Sequence, residues 1–110
     1  MVNPHRGEVE IWLNGAPMTA RLTLGALAEL EAEMQAGGMV DLVERFEAGR
    51  FSTRDVLALI VAGLRGGGWK GGFDDLLAVE VGDGRASGPV VAARLAAALL
   101  ARAFGPSAGG

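Results

Sequence analysis

The glycine-rich stretch from Gly66 to Gly72 contains one lysine, and its residue types come nearest to those of a phosphate site. A phosphate-binding loop requires the pattern G-x-x-x-x-G-K-[ST] between a strand and a helix, because its backbone N–H groups must cradle the phosphates. Here Lys70 is followed by Gly71 instead of Ser or Thr, and the stretch follows a helical pattern. We therefore predict a flexible connection at this position and no nucleotide site.

Few residues could carry acid–base, nucleophilic or metal chemistry. The chain has no cysteine, which excludes disulfides, thiolate metal sites and a cysteine nucleophile. Its one histidine, His5, lies in an N-terminal segment that we predict to be flexible, which argues against a catalytic Ser-His pair. A single histidine also cannot form a multi-histidine metal site. Asp74 and Asp75 are adjacent, so on a helix they would not face each other, and they suit a helix N-terminus better. The sequence predicts no enzyme, no catalytic residue, no cofactor and no metal.

The charge distribution disfavours two classes of partner. The net charge is −3, and residues 1–64 hold nine acids against five bases, without any strongly basic stretch. Nucleic acid is therefore a poor partner, because phosphates need a basic footprint. The longest apolar run, 56–64, is too short to cross a bilayer, and residues 1–6 have no apolar signal segment. We expect a cytoplasmic protein with no membrane partner.

The acids Glu29, Glu31 and Glu33 follow one another at alternate positions. They are typical of a solvated helix face, and the alternative is a charged rim around a partner groove. Spacing alone leaves both interpretations open.

Alternating apolar and polar residues on both sides of Asn14-Gly15 predict a β-hairpin, because a type I′ turn requires positive φ at both central residues. The predicted register consists of six pairs: Val9 with Ala20, Glu10 with Thr19, Ile11 with Met18, Trp12 with Pro17, Leu13 with Ala16, and the oppositely charged Glu8 with Arg21. One face of this hairpin is apolar. Because a lone hairpin is marginal in water, that face must pack on helices.

Apolar spacing and end signals predict helices over residues 24–34, 39–48, 52–64 and 89–104, with a short helical segment inside 73–81. Thr23 and Ser52 are predicted N-caps, and Ser52 with Asp55 has the spacing of a capping box. The predicted inner stripe of the first helix is Leu24, Leu27, Leu30 and Met34. The third helix is apolar on all sides, which places it in the middle of the core.

These elements predict one α+β domain over residues 1–110. In it, an N-terminal two-stranded hairpin packs on a bundle of four to five helices. Residues 1–7 and 105–110 are predicted to be flexible.

Two features could contact a partner. Trp12 is predicted on the outer face of the hairpin, where an exposed tryptophan suggests a contact unless the last helix or the region of Trp69 covers it. The last helix carries apolar residues on more than one side, so it is either deeply buried or shared with another chain. The candidate partner surface consists of Trp12, Val91, Leu95, Leu99, Leu100 and Phe104.

Several segments, taken in order, resemble small proteins of gene transfer agents, which are encoded in the phage-like tail cluster of alphaproteobacteria and described either as tail-tube-like or as tail assembly chaperones. The segments are Asn3–Val9, Leu22–Glu31, Gly49–Asp55, Ala62–Gly66 and Ala93–Leu100 with Phe104-Gly105. They cover nearly the whole chain. The sequence departs from the family pattern between Gly66 and Gly88, where Trp69, Lys70 and several glycines intervene.

The resemblance implies a non-enzymatic role in building a siphovirus-like tail. The favoured expectation is a tail assembly chaperone that binds the tape measure protein and keeps it soluble. The alternative is a structural component of the tail tube. Tube subunits are usually rich in β-structure, whereas the sequence indicates two strands, so the chaperone is the main expectation. Other tail proteins are the expected partners, and the chain could also form a homo-oligomer.

Overall fold

The computed structural model describes residues 7–34 and 38–104. Within them the chain forms β1 (Val9–Leu13), β2 (Ala16–Ala20), α1 (Leu24–Met34), α2 (Met39–Glu47), α3 (Thr53–Gly66), α4 (Phe73–Leu77), β3 (Val81–Gly82) and α5 (Pro89–Phe104). The predicted α+β class, a hairpin followed by helices, is confirmed. The ends that we predicted to be flexible lie outside the described residues, except for Gly7.

The hairpin has the turn and the register that its sequence predicts. Asn14 has φ +50° and Gly15 has φ +83°, as a type I′ turn requires. Five of the six predicted pairs, from Val9 with Ala20 to Leu13 with Ala16, are present. The predicted pair of Glu8 with Arg21 falls one residue beyond the strand ends and is not part of the register. Its apolar face supplies Ile11, which is fully buried, to the core.

A third strand completes the sheet and was not predicted. β3 pairs with β1 on the side away from β2, which gives the antiparallel order β2-β1-β3. The register places Trp12 opposite Gly82 and Leu13 opposite Val81. Two residues are too few to show an alternating pattern, so no local signal identifies this strand.

α3 is the central helix, as its apolar composition predicts. It packs against α1, α5 and β2, and Leu59, Ile60 and Leu64 are fully buried. Each such side chain contributes about 1.5–3 kcal/mol of transfer free energy to folding. The predicted capping box is confirmed: the Asp55 N–H donates to Ser52 Oγ at 3.1 Å, and the Ser52 N–H donates to Asp55 Oδ2 at 2.9 Å.

The inner stripe predicted for α1 is wrong at its first residue. Leu24 is 86% exposed, whereas Ala26 and Leu30 are buried. Thr23 caps the helix through a hydrogen bond from the Ala26 N–H to its Oγ1 at 3.0 Å, so Leu24 occupies the first position. Residues 26 and 30 are four apart and share a helix face. Ala26 contacts α3, since an added Cβ on Gly66 would lie 3.5 Å from Ala26 Cβ.

Candidate functional site

Four of the six predicted partner residues lie in the core of the chain itself. The exposed fractions are 6% for Val91, 8% for Leu95, 0% for Leu99 and 4% for Leu100. Gly63 of α3 lies so close to α5 that an added Cβ would meet Leu99 Cδ1 at 2.6 Å. The prediction of a surface at these four positions is therefore corrected: α5 is buried against α3, the other alternative that its composition allowed.

Trp12 is half-buried, because the segment after β3 covers part of its ring. An added Cβ on Gly84 would lie 2.9 Å from the indole Nε1, so the backbone there is in contact with the ring. The Nε1–H donates to Glu10 Oε1 at 3.1 Å. The sequence led us to expect cover from the last helix or from the region of Trp69, and it missed this loop. Contact of Trp12 with a partner stays a prediction.

Phe104 is the one member of the predicted surface that the structure leaves clearly exposed, at 46%. It is the last residue of α5. Its ring therefore stands at the end of the helix, away from the α3 contact that buries Leu99.

An apolar groove of about 580 Å³ lies between the first turns of α3 and α5 and the short helix α4. Its apolar lining includes Leu57, Leu77, Val79, Val81, Val90 and Ala93. Leu77 and Val90 are 59% and 69% exposed, although most large apolar side chains of the described residues are covered. The lining offers no convergent set of ionisable groups, so the groove is suited to an apolar side chain and not to a reaction.

This groove was not predicted from the sequence. Leu77 and Val90 belong to separate segments, and only the fold brings them together. One signal was available for Val90: the stripe Val91, Leu95 and Leu99 defines the inner side of α5, so Val90 must point elsewhere.

The edges of the sheet are poorly suited to strand addition. On β2, Pro17 has no N–H to donate, and an added Cβ on Gly67 would lie 1.9 Å from the Thr19 carbonyl oxygen, so the end of α3 lies against this edge. At the other edge β3 has two residues, and Gly82 already bridges to Ser87. A partner protein would therefore bind more readily through packing of side chains than by adding a strand to the sheet.

The acidic face of α1 is engaged in ion pairs with α3. Arg65 Nη2 lies 3.7 Å from Glu29 Oε1, and Arg54 Nη2 lies 3.7 Å from Glu33 Oε1. All four side chains are substantially exposed, so each pair contributes about 0–1 kcal/mol. These contacts favour the interpretation of this face as solvated.

The glycine-rich stretch forms the end of α3 and the turn after it. The Trp69 N–H donates to the Leu64 carbonyl at 2.9 Å, and Arg65 Nη1 donates to the Gly71 carbonyl at 3.1 Å. These hydrogen bonds hold the segment in place as the connection between α3 and α4. Among the described residues no group of three or more His, Cys, Asp and Glu side chains could hold a metal ion.

The turn between β3 and α5 has one perturbed carboxyl. The backbone N–H groups of Ala86 and Arg85 donate to Asp83 Oδ1 at 2.9 and 2.8 Å. They stabilise the charged carboxylate and so hold the pKa of Asp83 below its ordinary value. Within residues 7–34 and 38–104, no helix combines the length and the apolar character that a bilayer crossing requires.

Comparison with known protein families shows the family to which the chain belongs. A sequence profile of the family described as "Phage tail tube protein, GTA-gp10" matches residues 6–106. Searches of curated proteins and of solved structures gave no match. The main expectation from the sequence, a tail assembly chaperone, is contradicted by this description, which supports the alternative of a tube component. The count of strands misled us, because fold content does not determine function.

Proposed function

We propose that this chain, which belongs to the phage tail tube protein family GTA-gp10, is a structural component of the tail tube in a gene transfer agent or similar phage-like particle. The observation that carries the proposal is the extent of the family match. Residues 6–106 include every described strand and helix, so the likeness covers the whole fold.

The surface of the chain is compatible with a structural role. The groove between α3, α4 and α5 has an apolar lining in which Leu77 and Val90 are exposed. Exposed apolar patches on a small protein are typical of contacts between proteins. The proposed role includes no reaction. Its partners are other copies of the chain and other tail proteins, and a contact with the tape measure protein would be one such contact.

The proposal is tested by the composition of purified particles. Quantitative mass spectrometry should find this chain in many copies per particle, in constant ratio to the other tail proteins. Deletion of its gene should leave particles without a complete tail. Absence of the chain from intact tailed particles would overturn the proposal.

Contact with the tape measure protein can be examined separately. Cross-linking of assembled particles should join the chain to the tape measure protein if that protein lies inside the tube. A particle in which the chain cross-links only to itself would restrict the proposal to contacts between copies.

A further inference from the structure

α2 is held in the fold by few side chains. Elsewhere neighbouring elements pack with their backbones close together, as α3 does with α1 and α5, whereas in the described part of the chain no element packs along α2 in this way. Leu42 is the one α2 residue that is buried, and Val40, Glu44 and Glu47 are exposed. Because the free energy of burial scales with the apolar area removed from water, α2 is held less firmly than α3.

Two side-chain contacts join the end of α2 to the start of α3. The rings of Phe46 and Phe51 are stacked, with their centroids 4.5 Å apart and their planes 7° apart. Arg45 Nη1 donates to Asp55 Oδ2 at 3.2 Å, and Asp55 is buried. The same oxygen accepts the Ser52 N–H. The capping box of α3 therefore holds the carboxylate in place, and the ion pair acts on the position of α2.

Glycines with positive φ stand at both ends of this helix. Gly38, the N-cap residue of α2, has φ +102° and makes no side-chain cap bond. Gly49, two residues after the last residue of α2, has φ +72°. Glycine passes between positive and negative φ without steric cost, so a change at these two positions would move α2 as one piece.

We infer that α2 is a hinged lid that opens as a unit about Gly38 and Gly49 while α3 and the sheet stay folded. The ion pair of Arg45 with Asp55 and the stacked phenylalanine rings hold it closed. Opening uncovers Leu42 and one face of Phe51, and Phe51 also lines the apolar groove. The open lid thus extends the apolar surface of the groove. This device belongs to the folded chain and does not depend on the proposed function.

Hydrogen exchange of the full chain without denaturant, followed by mass spectrometry, tests the lid. The amides of residues 43–47 are bonded within α2 and need only the lid to open, whereas those of residues 59–64 lie in the central helix. We expect the protection factors of 43–47 to be at least tenfold smaller than those of 59–64.

Two variants should open the lid selectively. Arg45→Met removes the ion pair and keeps an apolar side chain of similar length, so the protection of 43–47 should fall about tenfold while that of 59–64 changes far less. Gly49→Ala penalises the positive φ of the closed lid. An added Cβ there meets nothing within 4 Å, so only the backbone is strained, and the protection of 43–47 should fall about fivefold or more.

Arg102→Met is the matched control. Arg102 lies in the last turn of α5, as Arg45 lies in the last turn of α2, and it is exposed. This variant should leave the protection factors of both segments as they are in the wild type.

Equal protection of 43–47 and 59–64 in the wild type would overturn the inference, because α2 would then open only when the whole chain unfolds. So would an Arg45→Met chain that loses protection equally in both segments, since the ion pair would then stabilise the entire fold. Unchanged exchange of 43–47 in the Gly49→Ala chain would exclude opening about Gly49.

Discussion

Asn14 and Glu80, which are 66 residues apart, exchange two hydrogen bonds. The Asn14 N–H donates to the Glu80 carbonyl at 2.9 Å, and the Glu80 N–H donates to Asn14 Oδ1 at 2.9 Å. Asn14 also has the positive φ that the hairpin turn needs. One residue therefore forms the β1–β2 turn and fixes the segment that leads into β3.

The two roles of Asn14 can be separated by substitution. Asn14→Gly keeps the positive φ and removes the side-chain acceptor, so we expect a loss of about 0.5–1.5 kcal/mol in the free energy of unfolding. Asn14→Ala removes the acceptor and also strains the backbone, with a further loss of about 1 kcal/mol. Urea unfolding measures both. Equal stability of the Gly and Ala variants would show that φ at this position is unimportant.

Gly67 should tolerate no side chain. Its added Cβ would lie 1.9 Å from the Thr19 carbonyl oxygen, which belongs to the backbone and cannot rotate away. We expect Gly67→Ala to lower the free energy of unfolding by about 1–3 kcal/mol, since α3 must move off the sheet.

Gly25→Ala is the control for this substitution. Its nearest atom, Thr23 Oγ1, would be 3.9 Å away, which is an ordinary contact, and Gly25 lies within α1. The free energy of unfolding should be unchanged or raised by up to about 1 kcal/mol. A Gly67→Ala chain as stable as the Gly25→Ala chain would contradict the close approach.

The features predicted correctly from the sequence are those with a local cause. The Asn14-Gly15 turn, the box between Ser52 and Asp55, and the start of α5 at Pro89 each depend on residues within a few positions of one another. Their side chains satisfy backbone groups or preset φ without help from the rest of the fold. The continuous apolar run also identified α3 as the central helix, because a helix that is apolar on all sides fits only a buried position.

The features missed depend on distant contacts. β3 is held by Asn14 from the far end of the chain, and the groove joins Leu77 to Val90 across a loop. Periodicity also could not show that the contact between α1 and α3 begins at Ala26, so Leu24 was misplaced. For α5 the composition left two alternatives, and only the packing of Leu99 against Gly63 decides for burial.

Burial of α5 gives a sharp expectation for charged substitutions. Leu95→Asp and Leu99→Asp each place an unpaired carboxylate in the core, and we expect both chains to unfold, because the cost exceeds several kcal/mol. Ala97→Asp introduces the same charge on the same helix at an exposed position and should cost below about 1 kcal/mol. Circular dichroism with thermal melting distinguishes them. Folded Leu95→Asp and Leu99→Asp chains that have lost partner binding would instead place these leucines in an interface.

The Asp83 carboxyl should make the free energy of unfolding depend on pH in acid solution. Because N–H groups of Arg85 and Ala86 hold the pKa of Asp83 below its ordinary value in the folded chain, the carboxylate binds its proton less readily there than in the unfolded chain. Its contribution to stability is therefore complete above the ordinary Asp pKa and is lost as the pH falls through the lower, folded-state pKa. Replacement by Asn, which does not titrate, should cost stability at neutral pH, and the difference from the wild type should shrink in acid. Carbon-13 NMR titration of the Asp83 carboxyl measures the pKa directly. A midpoint at or above the ordinary value would show that these hydrogen bonds do not hold the turn in solution.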